Sequence, residues 1–247
     1  MLISAAVDAA KAREAVHLVD DQPYVGREYI GSAPKPGTAG YGKDIAGDGH
    51  PQAYLVMQPP NSVTRPHFHQ TNQFQVFVDG SGRVGKLRAD PLTVQYAGAN
   101  TPYGPIIAED AGIHYFTLRQ EWDSGAKYLP AKRDLLVKGR QRQVVGTAAP
   151  AAIPAAGTSE EVLIAPEADG LLALALCLAP ETTATLPDAG DGGGQYHVVL
   201  AGSLQRDGEV LGPLSLEFAS PDQGAVTVDA GPQGLVLLLL RFPRRDV

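Results

Sequence analysis

Apolar residues in this chain come in short runs. Ala53–Gln58, Phe74–Val78, Leu92–Tyr96 and Ile113–Leu118 are alternating or apolar stretches, most of them bounded by Pro, Gly, Asn or Asp. Leu171–Leu178 and Leu235–Leu240 are apolar on both faces of any strand they form, so each needs cover from a partner unit or a second subunit. Many short strands separated by turn residues predict an all-β sandwich or barrel. Only Val7–Val19 reads as a helix, ahead of the first strands.

The pattern occurs twice. Pro59 to Pro66 matches Pro180 to Pro187 in its Pro, Thr and Pro positions. After one inserted residue, Gln73–Ser81 matches Gln195–Ser203, Pro91–Ala97 matches Pro213–Ala219, and Gly112–Arg119 matches Gly234–Arg241 with Gly, Leu and Arg retained. A constant offset over such a length marks an internal repeat. The expected organisation is an N-terminal helix and arm over residues 1–44, a first unit over 45–147, an Ala/Pro/Gly-rich linker over 148–158 and a second unit over 159–247.

Composition agrees with strands and turns. The 247 residues include 28 Gly and 20 Pro, about 19% against a background near 12%. Hydrophobic residues are 44%, enough for real cores, and the net charge is −7. An acidic chain repels nucleic acid and anionic lipid, and neither is expected as a partner. The basic cluster between Lys132 and Arg142 includes Asp134 and lacks interleaved aromatics, so it reads as a solvated connector. The lone Cys177 forms no internal disulfide and suits a buried thiol. No signal peptide or membrane span is evident, and a cytoplasmic location is expected.

The chemistry concentrates in one stretch, Asn61 to Gly80. His67 and His69, two apart on a strand, face one way and offer half of a transition-metal site. The spacing from Asn61 through His67, His69 and Gln73 to Gly80 resembles the first motif of the cupin (RmlC-like) superfamily, G-x5-H-x-H-x3-E-x6-G. Asn61 replaces the first Gly, and Asn tolerates positive φ. Gln73 replaces the Glu. The second, looser motif P-x-G-x2-H falls at Pro102–Ile107, with Ile107 in place of its His.

The resemblance implies two tandem cupin barrels, each a double-stranded β-helix or jelly roll. It also implies a homodimer. Metal cupins bind through three His and often one Glu, so the expected metal shell is His67, His69 and Gln73, with His114 as the nearest later histidine. Gln75, Phe77 and Tyr103 are expected to line a pocket for a small molecule. Fe, Mn, Ni or Zn is the expected cofactor. Enzyme or not stays open: the resemblance reaches gentisate-type dioxygenases, which act on a hydroxylated aromatic or other chelating substrate. The alternatives are a non-catalytic binding or sensor protein and a cupin isomerase or lyase. At the corresponding places the second unit carries Asp188, Gly190 and Val236, so it is expected to be metal-free and structural. Tyr24, Tyr29 and Tyr41 in the N-terminal arm read as packing residues, as do Trp122 and Tyr128 beyond the first unit.

Overall fold

The structure is a computed structural model and describes residues 1–139, 141–149 and 152–244. Arg140 of the basic cluster and Pro150 and Ala151 of the expected linker lie outside the described residues. The chain divides into two compact units. One is Arg13–Val145, and the other joins Met1–Ala12 to the residues from Gly146 onward.

In the Arg13–Val145 unit the strands are β2 (Glu14–Val19), β3 (Gln22–Ile30), β4 (Gln52–Gln58), β5 (Val63–Thr64), β6 (His67–Phe68), β7 (Gln73–Val84), β8 (Leu87–Ala89), β9 (Thr93–Ala97), β10 (Ile106–Arg119), β11 (Lys127–Tyr128) and β12 (Gln143–Thr147), which runs on into the other unit. β1 (Leu2–Ala5) precedes them and belongs to that other unit, with β13 (Thr158–Ile164), β14 (Leu172–Leu178), β15 (Thr183–Thr185), β16 (Gln195–Arg206), β17 (Glu209–Leu211), β18 (Leu216–Ala219) and β19 (Thr227–Arg241).

The expected single helix over Val7–Val19 is corrected. Only Val7–Lys11 is helical, and Glu14–Val19 is a strand paired with β3. The reason is a two-residue hairpin turn, Asp20-Asp21. Both residues have positive φ (49° and 62°), as the turn that matches strand twist requires, and Asp tolerates that region. Tyr24 and Tyr29 therefore sit on a strand rather than in a loose arm.

The two units share one strand order over six strands, with β2 added at the end of the first. One sheet runs β12-β9-β7-β10-β4-β3-β2, with β5 and β8 attached to β10 and β7. The other runs β1-β18-β16-β19-β14-β13, with β15 and β17 attached to β19 and β16. Each is an open order, and β1 takes at β18 the place that β12 takes at β9. The repeat fixes the register as well: Gln73 faces Arg119 across β7 and β10, and Gln195 faces Arg241 across β16 and β19. Gly80 and Gly112, both at positive φ, pass so closely that a Cβ on Gly80 would meet the Gly112 carbonyl, and Gly202 and Gly234 repeat this pair. Asn61, at φ 57°, adopts the left-handed conformation its place in the motif calls for.

The interiors differ. The second unit packs Leu172, Leu174, Leu176, Leu178, Leu235, Leu237 and Leu239 into one apolar cluster with Val199, Leu204 and Val228. Every residue of β14 is buried within the chain itself. Leu174 opposite Leu239 occupies the register position that Tyr54 opposite Thr117 holds in the first unit, and Leu176 opposite Leu237 matches Val56 opposite Tyr115. Those first-unit residues surround a cavity. Among the described residues no helix is long and apolar enough to cross a membrane.

Candidate functional site

The cavity lies in the Arg13–Val145 unit and has a volume of about 90 Å³. Alternation along β10 sends Tyr115, Thr117 and Arg119 into it, and β4 adds Tyr54 and Val56. His67, His69, Gln75 and Tyr103 line it, as do Tyr24 and His17 from the β2–β3 hairpin. Ala33, Pro34, Pro36 and Tyr41 line it from the segment between β3 and β4. That segment is tied down by Gly42 N donating to Ser124 O (2.9 Å) and by Ser124 Oγ donating to Lys43 O (2.6 Å). Gly125, at φ 111°, is required here because a Cβ would strike the Tyr41 ring.

His67 and His69 are both buried, with ring centroids 5.3 Å apart. His67 Nδ1 lies 2.7 Å from Arg65 O, which only accepts, so Nδ1 carries the proton and Nε2 the lone pair. His69 Nδ1 lies 2.8 Å from Asp123 Oδ1. Burial alone would push the Asp123 carboxyl up, but His69, Arg119 and Lys127 hold it well below the usual carboxylate range. It is therefore ionised and accepts the Nδ1 proton, which leaves the His69 Nε2 lone pair facing Arg119 Nη2 at 3.2 Å. Desolvation, helped by the Arg119 charge, lowers His67 to about 4 and His69 to about 3. Both rings are neutral at physiological pH.

Asp123 also accepts from Gln70 N (3.0 Å), Gly125 N (2.8 Å) and Lys127 Nζ (3.1 Å). Lys127 is completely buried, and burial lowers its pKa. Arg119 is also completely buried. Its guanidinium donates to Gln73 Oε1 from Nε (3.2 Å) and Nη2 (3.0 Å), to Tyr54 Oη from Nη1 (3.1 Å) and to Gln52 Oε1. Nη2 also lies 3.2 Å from His69 Nε2. The Gln73 amide donates in turn to Tyr103 Oη, which sits 2.9 Å from His67 Nε2.

Of the sequence-predicted residues, His67, His69, Gln73 and Tyr103 come together, and Gln75 lines the same cavity. Gln75 Oε1 accepts from Gln95 Nε2 (3.2 Å). Phe77 is buried behind the wall, its ring 5.3 Å from that of Tyr115, and does not line the cavity. His114 is not brought to the site. Neighbouring Tyr115 takes the inward place in alternation with Thr117 and Arg119, and His114 lies on the opposite side of β10, half-buried, 3.3 Å from Asp79 Oδ2. Ile107, which stands where the second motif has its His, is partly exposed and pairs with Val63. Tyr103 from the same motif enters the site instead.

Sequence reasoning missed Arg119, Asp123 and Lys127. It also left Tyr24, Tyr41 and Tyr128 as packing residues, although all three line the cavity. Arg119 had left a signal: it is one of the few residues retained in the repeat, and it faces a Gln in both copies.

The donor set decides how well a divalent metal fits. The two imidazoles fit. Each is neutral and oriented through Nδ1 by an acceptor, as metal-binding histidines are. Gln73 as placed does not, because its oxygen accepts from Arg119 and its nitrogen donates to Tyr103. Among the described residues no three His, Cys, Asp or Glu side chains group as a metal shell. Arg119 adds a fixed positive charge. At about 4 Å two unit charges repel by about 4 kcal/mol at an effective dielectric of 20, and a divalent ion doubles that.

No family model matches the chain, and no curated protein matches it. Solved structures do. A putative dioxygenase of Nostoc punctiforme aligns over 100% of this chain and 85% of its own, with TM-score 0.65 and 10% identity. The bacterial pirin YhhW of Escherichia coli in complex with nickel(II) aligns over 98% and 100%, with TM-score 0.58 and 10% identity. A variant of Bacillus subtilis oxalate decarboxylase, an enzyme whose Mn(II) centres have been studied, aligns over 99% and 78%, with TM-score 0.59 and 11% identity. These are cupin-fold proteins, and at such identity the likeness is one of fold.

Proposed function

We propose that the chain is a tandem cupin whose Arg13–Val145 unit binds a divalent transition metal and a small molecule in one cavity, while the other unit is structural. The observation that carries this reading is the orientation of the histidine pair. His67 and His69 are neutral and anchored through Nδ1 by Arg65 O and the Asp123 carboxylate, so each presents an Nε2 lone pair, which a metal would take over from Tyr103 Oη at His67 and from Arg119 Nη2 at His69. The Leu-filled interior of the second unit supports the division of labour.

In this reading His67 and His69 hold the metal, which when bound supplies Lewis acidity and, for iron or manganese, redox chemistry with dioxygen. Lys127 keeps Asp123 charged and in place, and Asp123 keeps His69 in the binding tautomer. Tyr103 donates its hydroxyl proton to His67 Nε2, a bond that a metal on that lone pair would replace. The segment carrying Pro34, Pro36 and Tyr41 adds apolar and aromatic wall to the cavity. Two protein donors leave most coordination positions to the ligand, which suits a chelating substrate, such as a hydroxylated aromatic, in an oxygenase-type reaction. A non-catalytic binding role is the second reading, favoured by the engagement of the Gln73 amide at both ends.

Dioxygen uptake separates the two. Iron-loaded protein given catechol, gentisate or a β-diketone is expected to consume dioxygen, and His67→Ala to abolish it. Retained metal with no uptake on any of these substrates overturns the oxygenase reading in favour of binding.

A further inference from the structure

We propose that Gln75 is the specificity-determining residue of this cavity: its amide Nε2 takes a carbonyl oxygen of the ligand, and Gln95 and Gln143 hold it in that orientation. The proposal rests on the cavity being the ligand site proposed above, but not on a metal. Three glutamines form a relay from β12 through β9 to β7. Gln143 is exposed and donates from Nε2 to Gln95 Oε1 (3.2 Å), and Gln95 donates from Nε2 to Gln75 Oε1 (3.2 Å). Gln95 and Gln75 are buried register partners. The relay starts in water and ends at the cavity wall, and each amide directs its nitrogen inward.

The inner end is open. Gln75 lines the cavity, and among the described residues its Nε2 meets no acceptor. Its oxygen is fixed by Gln95, so the amide cannot turn its nitrogen into the wall without breaking that bond. Thr117, the register partner of Gln75 on β10, is also buried and lines the cavity, and its hydroxyl has no partner among the described residues. A buried N–H with nothing to donate to is destabilising, and donation along the relay strengthens its last member as a donor. A carbonyl oxygen in the cavity satisfies it.

The repeat supplies a closed relay for comparison. In the other unit Glu217 and His197 correspond to Gln95 and Gln75, and β1 supplies Ser4 where β12 supplies Gln143. Ser4 Oγ donates to Glu217 Oε1 (3.0 Å), and Glu217 Oε2 lies 3.4 Å from His197 Nδ1. His197 Nε2 meets Gln195 Nε2 (3.0 Å), which also donates to Pro187 O (2.9 Å). There the bonds end on protein, and Leu239 stands where the first unit has Thr117. The first unit keeps the same ladder of positions, ends it on an amide N–H without an acceptor, and sets a cavity and a hydroxyl beside it.

The test titrates cyclopentanone and methylenecyclopentane, the same ring with C=CH2 in place of C=O, into chelator-treated full-length protein by ligand-observed NMR. Gln75→Met should weaken cyclopentanone about fivefold, the worth of one hydrogen bond, and should not weaken methylenecyclopentane. Gln95→Leu, which releases the Gln75 amide, should weaken cyclopentanone about twofold and again spare the hydrocarbon, a split that a merely structural role would not produce. If the variants do not fold, the wild-type carbonyl carries the test: its 13C resonance should lie downfield, when bound, of its position in hydrocarbon solvent. No cyclopentanone binding, an equal loss for both probes in Gln75→Met, cyclopentanone affinity unchanged there, or a bound carbonyl at its hydrocarbon position would overturn the proposal. In His67→Ala the Gln75→Met effect should persist. Its persistence with metal binding absent in wild type would sink the metal reading alone, and bound metal with cyclopentanone indifferent to Gln75→Met would sink this one alone.

Discussion

Asp123 is the residue on which the site turns. It is almost fully buried and meets His69, Lys127, Gln70 N and Gly125 N at once. Asp123→Asn keeps the shape but leaves the Lys127 ammonium without its carboxylate. Removing one partner of a buried ion pair costs about 3–5 kcal/mol, which denaturant unfolding will register. His69 also loses its orienting acceptor, so metal affinity should fall about 10–100-fold in the same variant. Unchanged stability and affinity would remove Asp123 from the account. The histidines themselves were legible, because two residues on one strand carry a local spacing. Asp123 and Arg119 were not, since each meets His69 from about fifty positions away and only pairing across the fold brings them there.

At the scale of elements, alternation and turn chemistry predicted most strands, and misreading one turn cost the N-terminal helix. Asp20-Asp21 reads as a hairpin turn only if both residues are allowed positive φ, as they have here. His114 failed because period two alone does not say which face of β10 is inward: Tyr115, Thr117 and Arg119 line the cavity, and His114 shares the other face with Phe116 and Leu118. In the other unit, β18 carries Glu217, completely buried between Arg206 Nε (2.7 Å), Ser4 Oγ (3.0 Å) and His197 Nδ1 (3.4 Å). Burial opposes its charge, yet His197 and Arg206 win and lower it to about 2 from 4.5. Because the folded value is the lower one, the stabilisation is fully present above pH 4.5 and is lost as pH falls toward 2. The amount is about 3 kcal/mol. Urea unfolding of wild type should weaken over that window, and Glu217→Gln should be less stable at pH 6 and flatter in acid. Parallel profiles for the two proteins would contradict the assignment.

For the whole molecule, the repeat was legible because strand order and register recur with it, down to the Gln–Arg pairs facing each other in both copies. The attachment of β1 to the second unit's sheet was not, because pairing between chain segments more than 200 residues apart leaves no local pattern. The same backbone plan has been filled in two ways: with leucines in one copy, and with tyrosines, an arginine and a histidine pair around a cavity in the other. The central claim is that the second filling holds one metal and the first none. Metal analysis of intact protein after loading with iron, manganese, nickel or zinc tests it most directly. The account predicts one ion per chain in wild type and loss of that ion in His67→Ala and in His69→Ala. No bound ion with any of the four metals, or an ion that both variants retain, would contradict it.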